Sequence, residues 1–219
     1  MPPPSRALRE PSRRGQVMGE TSVRHVQSIK HRRSRGARRI EAFSPKLKRR
    51  LQLSSRAAFE LWLTLESDPS VLSFCERPLI VPLTPLPRVI DFWSCSAQVE
   101  TYLLLGDANA DLEPHLAAPF RCVPVAELAA ARTWTGNWER MLPIINAYWD
   151  QPLGEIETAI IRHTVEPKRL MDIERDMAIS DPTPVRASVY RLLHRGALSA
   201  PTLLTQPLSL LTKFQQAAS

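Results

Sequence analysis

What the chain lacks narrows its chemistry first. It has three cysteines, Cys75, Cys95 and Cys122, whose spacing fits no zinc pattern and whose odd number does not suggest a disulfide framework. Free thiols in a reducing cytoplasm are therefore expected. The histidines His25, His31, His115, His163 and His194 never stand four residues from another histidine or a cysteine, which removes the helical zinc pattern. No apolar run reaches membrane-spanning length, and no apolar signal core follows the start of the sequence. Pro2, Pro3, Pro4 and Pro11 argue against the amphipathic helix of an organellar leader. Lysine is also scarce where it would matter for chemistry: none occurs from Arg49 to Pro167.

What is present is an uneven distribution of charge. The 219 residues, 43% of them hydrophobic, suffice for one large domain or two small ones. The formal charge is +7, and it is concentrated at one end. Residues 1–56 hold 16 Lys and Arg against 3 acids, which leaves 13 basic and 19 acidic residues for the rest. An arm of this kind attracts phosphate backbones by counterion release without reading sequence. A solvated leader without a ligand has the same composition.

Residues 1–45 read as that arm, because proline, arginine and serine dominate and the apolar residues have no period. Within it, "RHVQSIKHRRSRGARR" is a candidate DNA-contacting stretch. Order is expected from about Ser54. Ala58, Leu61, Trp62 and Leu65 follow one helix face, and Asp68-Pro69 closes the helix. Strands are expected at Val71–Cys75, Leu79–Leu83, Arg88–Cys95 and Val99–Leu105, with a turn near Ser96-Ala97. A loop leads to a strand in "FRCVPV", a short helix in "AELAAAR" and a longer one in "TWTGNWERMLPIINAYWD". Trp134, Trp138 and Trp149 stand at helical spacing and are expected to serve the core. The class is α/β, with a central mixed sheet flanked by helices. After residue 151 two helices are expected, the second opened by Thr183 and Pro184, carrying Val185, Val189, Leu192 and Leu193, and closed by Gly196. Short extended pieces follow. Helix, helix, then a small β-wing is the order of a winged helix-turn-helix module.

In order along the chain, "RHVQSIK", "LTLESDPSVLSFCERPLIV", "VIDFW", "FRCVPVAELAAARTWTGNWERMLPIINAYW" and "VYRLLHRGALSAPTLLTQPLSLLTKF" together resemble the TnsA family, the endonuclease subunit of heteromeric DNA transposases. The resemblance covers roughly residues 24–214. It implies a restriction-endonuclease-like domain over residues 46–151 and a winged-helix domain over residues 152–219. It also implies element-end DNA as ligand, a transposase catalytic subunit and an AAA-type ATPase regulator as partners, and a bacterial cytoplasm as location.

Such a nuclease site holds Mg²⁺ through an aspartate on one strand and a Glu or Gln on the next. A lysine two residues later stands beside the phosphate, and a helical glutamate completes the set. Carried over, Asp91 takes the aspartate position. With the turn at Ser96-Ala97, Asp91 faces position 102, so Glu100-Thr101-Tyr102 is the best counterpart of the Glu-x-Lys pair. Asp91 and Glu100 are thus the candidate catalytic and metal-binding residues. Tyr102 cannot replace an ammonium, and the helical motif lands on Ser55 and Ala58. Glu60 is about 200° further round the helix and is expected to be a surface or salt-bridged acid. The candidate DNA-binding residues are Arg24, Lys30, Arg32, Arg33, Arg35, Arg38, Arg39, Arg49 and Arg50; Arg186, Arg191 and Arg195 lie off the apolar stripe of the last helix, where phosphate contact and a protein-docking role for the winged helix both stand open.

The expectation is a DNA-binding transposase subunit without efficient cleavage. Two alternatives stand beside it: an active Mg²⁺ endonuclease cutting the 5′ ends of the element, and an interaction adaptor that never touches DNA.

Overall fold

The computed structural model describes residues 25, 27–29, 39–97, 99–106, 112 and 115–218. The fold is α/β with a mixed central sheet and helices.

The first element is a hairpin, β1 (Ile40–Ser44) and β2 (Arg49–Leu53), paired antiparallel from Ile40↔Leu53 to Ser44↔Arg49. Leu51 and Leu53 are buried while Arg50 and Gln52 are exposed, the alternation of a strand with one covered face. The expected arm of residues 1–45 therefore ends at least five residues early, and order begins well before Ser54. His25 and Ile29 also leave the arm: Ile29 N donates to Arg77 O at 3.0 Å and His25 lies edge-on to Trp93 and Tyr102.

Helix α1 (Arg56–Ser67) matches expectation. Ser55 caps it by accepting the Ala58 N–H, and Asp68 ends it in an extended conformation ahead of Pro69. Then come β3 (Val71–Glu76), the short pair β4 (Ile80–Val81) and β5 (Arg88–Val89), β6 (Phe92–Ser96), β7 (Val99–Leu105) and β8 (Phe120–Val123). The expected strand Leu79–Leu83 is cut to two residues, between Pro78 and Pro82, neither of which has an N–H to donate. The expected strand Arg88–Cys95 is broken at Ile90-Asp91.

The central sheet has the order β3-β6-β7-β8, with β7 and β8 parallel and the other pairs antiparallel. Both faces are covered. Phe74, Phe92 and Leu103 join the large core with α1 and α3 (Arg132–Ala147). Cys75, Trp93, Cys95, Tyr102 and Leu104 form a second core with Val81, Ile90 and Leu112. β6 is buried along four of its five residues, including the polar Ser94, as a strand covered on both faces must be. A short helix, α2 (Val125–Ala130), links β8 to α3.

The C-terminal part is α4 (Gly154–His163), β9 (Lys168–Arg169), α5 (Leu170–Met177), α6 (Thr183–His194), β10 (Leu198–Ser199), a 3₁₀ turn (Pro201–Leu204) and β11 (Lys213–Gln216). The strands make an antiparallel sheet in the order β10-β11-β9. Asp181 takes the opening role expected of Thr183: its Oδ1 accepts from both Thr183 N and Thr183 Oγ1. Gly196 stops the helix at φ 74°, as expected.

One apolar cluster runs from Leu51 on β2 to Phe214 on β11. Asn137, buried on α3, reinforces it: its Nδ2 donates to Leu203 O and Gln206 O, and its Oδ1 accepts from Leu208 N at 2.7 Å. Among the described residues no helix is long and apolar enough to cross a membrane.

Candidate functional site

Asp91 sits at the break between β5 and β6. An acid between Ile90 and Phe92 needs a partner, and it has one: Leu105 N donates to Asp91 Oδ2 at 2.8 Å. Its main chain is engaged too, with Arg77 N donating to Asp91 O at 2.8 Å. Arg88 lies alongside, donating from Nη2 to Leu105 O at 3.1 Å. Burial pushes the Asp91 carboxyl above its ordinary pKa, opposed by the Leu105 N–H and the Arg88 charge. The carboxylate ties the end of β7 to the start of β6.

Glu100 lies elsewhere. The turn pairs Ser96 with Val99 and Trp93 with Tyr102, so Asp91 faces the Leu104 level rather than position 102. This corrects the expected register by two residues. Glu100 stands opposite Cys95, four residues or about 13 Å along the strand from Asp91. There its Oε2 accepts from Trp93 Nε1 at 3.1 Å. Tyr102, at the lysine position, meets His25 Nε2 through its hydroxyl at 2.9 Å.

The helix supplies no acid to this region. Ala58 is 5% exposed and belongs to the large core, on the other side of the sheet from Trp93 and Tyr102. Glu60 pairs with Arg56 at 2.9 Å, one helical turn back. The structure therefore does not bring Asp91 and Glu100 together, and this donor set does not fit Mg²⁺, which requires several oxygens converging within bonding distance. Among the described residues no three His, Cys, Asp or Glu side chains are grouped to hold a metal.

Of the basic candidates, Arg24, Lys30, Arg32, Arg33, Arg35 and Arg38 lie outside the described residues. Arg39 pairs with Glu41 at 2.7 Å at the surface. Arg49 is not open to a phosphate: it makes a two-pronged pair with the buried Glu76, at 2.9 and 2.6 Å, locking β2 to the end of β3. Arg50 is exposed on β2.

Two arginines of the last helix are also engaged inside the molecule, and a third forms a pair at its exposed end. Arg186 holds Glu174 through two bonds at 2.6 and 3.0 Å. Arg191 reaches Glu157 at 2.9 Å and the carbonyls of Tyr148 and Gln151. Arg195 makes two bonds to the same Glu157. No residue of α6 is exposed. In this arrangement α6 is an internal strut and cannot lie in a DNA groove: Arg186 and Arg191 are turned to internal partners, which corrects the expectation for those two, while Arg195, just past its end, is exposed.

A group that sequence reasoning missed joins three distant segments. Glu66 on α1 is 0% exposed: its Oε2 accepts from Ser44 Oγ, and its Oε1 accepts from Lys46 N at 3.0 Å and lies 2.8 Å from His194 Nε2. Burial alone raises the Glu66 pKa, but the bonds from His194 and Ser44 reverse this and leave it below the ordinary value. Lys46 turns its Nζ onto Leu65 O and Asp68 O, the carbonyls at the end of α1. Burial lowers its pKa to about 8, against the pull of Glu66 and Asp68. The only sequence signal for this corner was alternation in "IEAF" and "RLQL" about the Pro45 turn.

No protein-family model matches the chain, and no curated protein sequence matches it either.

Proposed function

We propose that this chain is a TnsA-like subunit of a heteromeric DNA transposase. It binds element-end DNA and bridges the transposase catalytic subunit and an ATPase regulator, without efficient DNA cleavage. The observation that carries the reading is the dispersal of one motif. Asp91 is spent on the Leu105 N–H, Glu100 bonds the Trp93 indole, Tyr102 replaces the lysine and Ala58 the helical acid.

Several features support the scaffold side of the proposal. A helix followed by a mixed sheet with helices around it is what a restriction-endonuclease-like core requires. The order α4-β9-α5-α6-β10-β11, with its small three-stranded sheet, supports a winged-helix reading of the C-terminal part. Because α6 is buried, that winged helix would serve protein docking rather than groove reading. DNA contact then falls to the basic segment before β1 and to Arg50.

The test is retention of a labelled element-end duplex by the full chain and by a chain lacking residues 1–38. The full chain should lose affinity by orders of magnitude between about 50 and 200 mM salt, and the truncated chain should bind weakly with a flatter salt dependence. Equal binding by both chains would reject the proposed DNA contact. The internal pairing of Arg49, Arg186 and Arg191 favours a second reading, the adaptor that never touches DNA. That reading predicts no DNA retention at any salt.

A further inference from the structure

A cleft of about 410 Å³ opens between the β1–β2 turn, the segment after α1 and the C-terminal ends of α3 and α6. Its polar wall is Lys46, Lys48, Arg191, His194 and Arg195, and among the described residues no carboxylate lines it. Its apolar floor includes Trp149, 37% exposed, and Leu72, 61% exposed.

The carboxylates behind this wall are fewer than its cations. Glu157 is shared by Arg191 and Arg195, so one positive charge there is unbalanced. Glu66 faces His194 and the Lys46 main chain. Asp68 lies near Lys46, but its carboxylate accepts from Ser70 N and Oγ. Lys48 is exposed, lies over the Trp149 ring at 5.6 Å and has no ion pair among the described residues. Two positions further along, Arg50 is exposed as well, whereas Arg49 between them turns to Glu76. Lys48 and Arg50 thus form a cationic edge running from the cleft along β2, beside the strand into which the basic segment leads.

A wall of cations beside an exposed indole is the combination that holds a strand unit: phosphate on the charges, base or sugar on the ring. We propose that this cleft binds one nucleotide unit of a nucleic-acid strand, its phosphate against Lys48 and Arg195 and its base or sugar against Trp149 and Leu72. The assignment rests on the DNA-binding reading above and gives it a place outside the basic segment.

The experiment uses the full chain with a labelled oligo-dT strand and a labelled duplex of equal length. Lys48→Asn removes the charge and suits the left-handed turn position at φ 56°. It should weaken binding to both probes and reduce the salt slope by about one. Trp149→Leu should weaken binding to the single strand about fivefold or more. If both variants bind both probes as the unaltered chain does, while deletion of residues 1–38 still abolishes binding, the cleft assignment is overturned and the proposed function stands. If the unaltered chain retains neither probe, both fall. Competition by dTMP alone as effective as the strand would place a free nucleotide in the cleft and also overturn the assignment. Should Trp149→Leu fail to fold, Lys48→Asn decides alone: unchanged affinity and salt slope overturn it.

Discussion

Asp91, just before β6, and Glu100, on the antiparallel neighbour β7, stand at different rungs: Asp91 accepts from the Leu105 amide, while Glu100 stands opposite Cys95 and accepts a hydrogen bond from the Trp93 indole N–H. The two acids that a metal site would pair are each committed to a separate structural bond.

That commitment makes Asp91 a test of its own. Its folded pKa is raised by burial, so the stability it contributes is complete below the unfolded value and is lost as pH rises through the folded one. Asp91→Asn keeps an oxygen for Leu105 N and removes the buried charge. It should melt at or above the temperature of the unaltered chain at pH 7, with the difference shrinking below about pH 4. Asp91→Ala leaves the Leu105 N–H unpaired and should cost about 1–3 kcal/mol in chemical denaturation.

Glu66 behaves in the opposite sense. Its folded pKa is depressed, because the bonds from His194 and Ser44 outweigh burial. Its stabilisation is therefore complete above the unfolded value and disappears as pH falls through the folded one. Glu66→Gln should destabilise the chain by about 3–5 kcal/mol at pH 7 and flatten the acid limb of the stability curve below about pH 4. A double-mutant cycle with His194→Ala should give a non-zero coupling; strict additivity would show that the two side chains do not interact.

Asn137 joins α3 to the 3₁₀ turn and the loop after it through three bonds, two of them buried. Asn137→Leu should lower the urea midpoint by the equivalent of about 2–4 kcal/mol with little change in slope. A chain ending at residue 151 should fail to unfold cooperatively, because it exposes the large core that reaches Phe214.

Gly196 combines a left-handed conformation with a close approach. Its φ is 74°, and a Cβ there would lie 2.8 Å from Pro69 Cβ. Gly196→Ala should cost about 1–3 kcal/mol by thermal melting. A neutral result would mean that the turn after α6 does not rest on Pro69.

Local rules made several elements legible. α1 was readable from the apolar stripe and Asp68-Pro69, and β7 from an apolar run after a turn. α6 was readable from its stripe and from Gly196, whose stop is a backbone requirement. The hairpin β1–β2 was hidden because its short alternation lies inside a run of arginines and lysines that resembles the arm before it. α4 was missed because only Glu157 and Ile160 are fully buried on it, too few to mark a period. The site failed on register: a shift of the turn by one position moves every cross-strand partner by two. That Asp91 needs a partner followed from its apolar neighbours. That the partner is a main-chain amide depends on where β7 ends. The Glu66–His194 contact links residues 128 apart and left no local trace.

The central claim is most directly tested by incubating end-containing DNA with the full chain, the transposase subunit, the ATPase regulator and Mg²⁺ or Mn²⁺. The account predicts salt-sensitive retention of the DNA with the 5′ strands left intact. Strand scission at the element ends that disappears in a folded Asp91→Asn variant would contradict it.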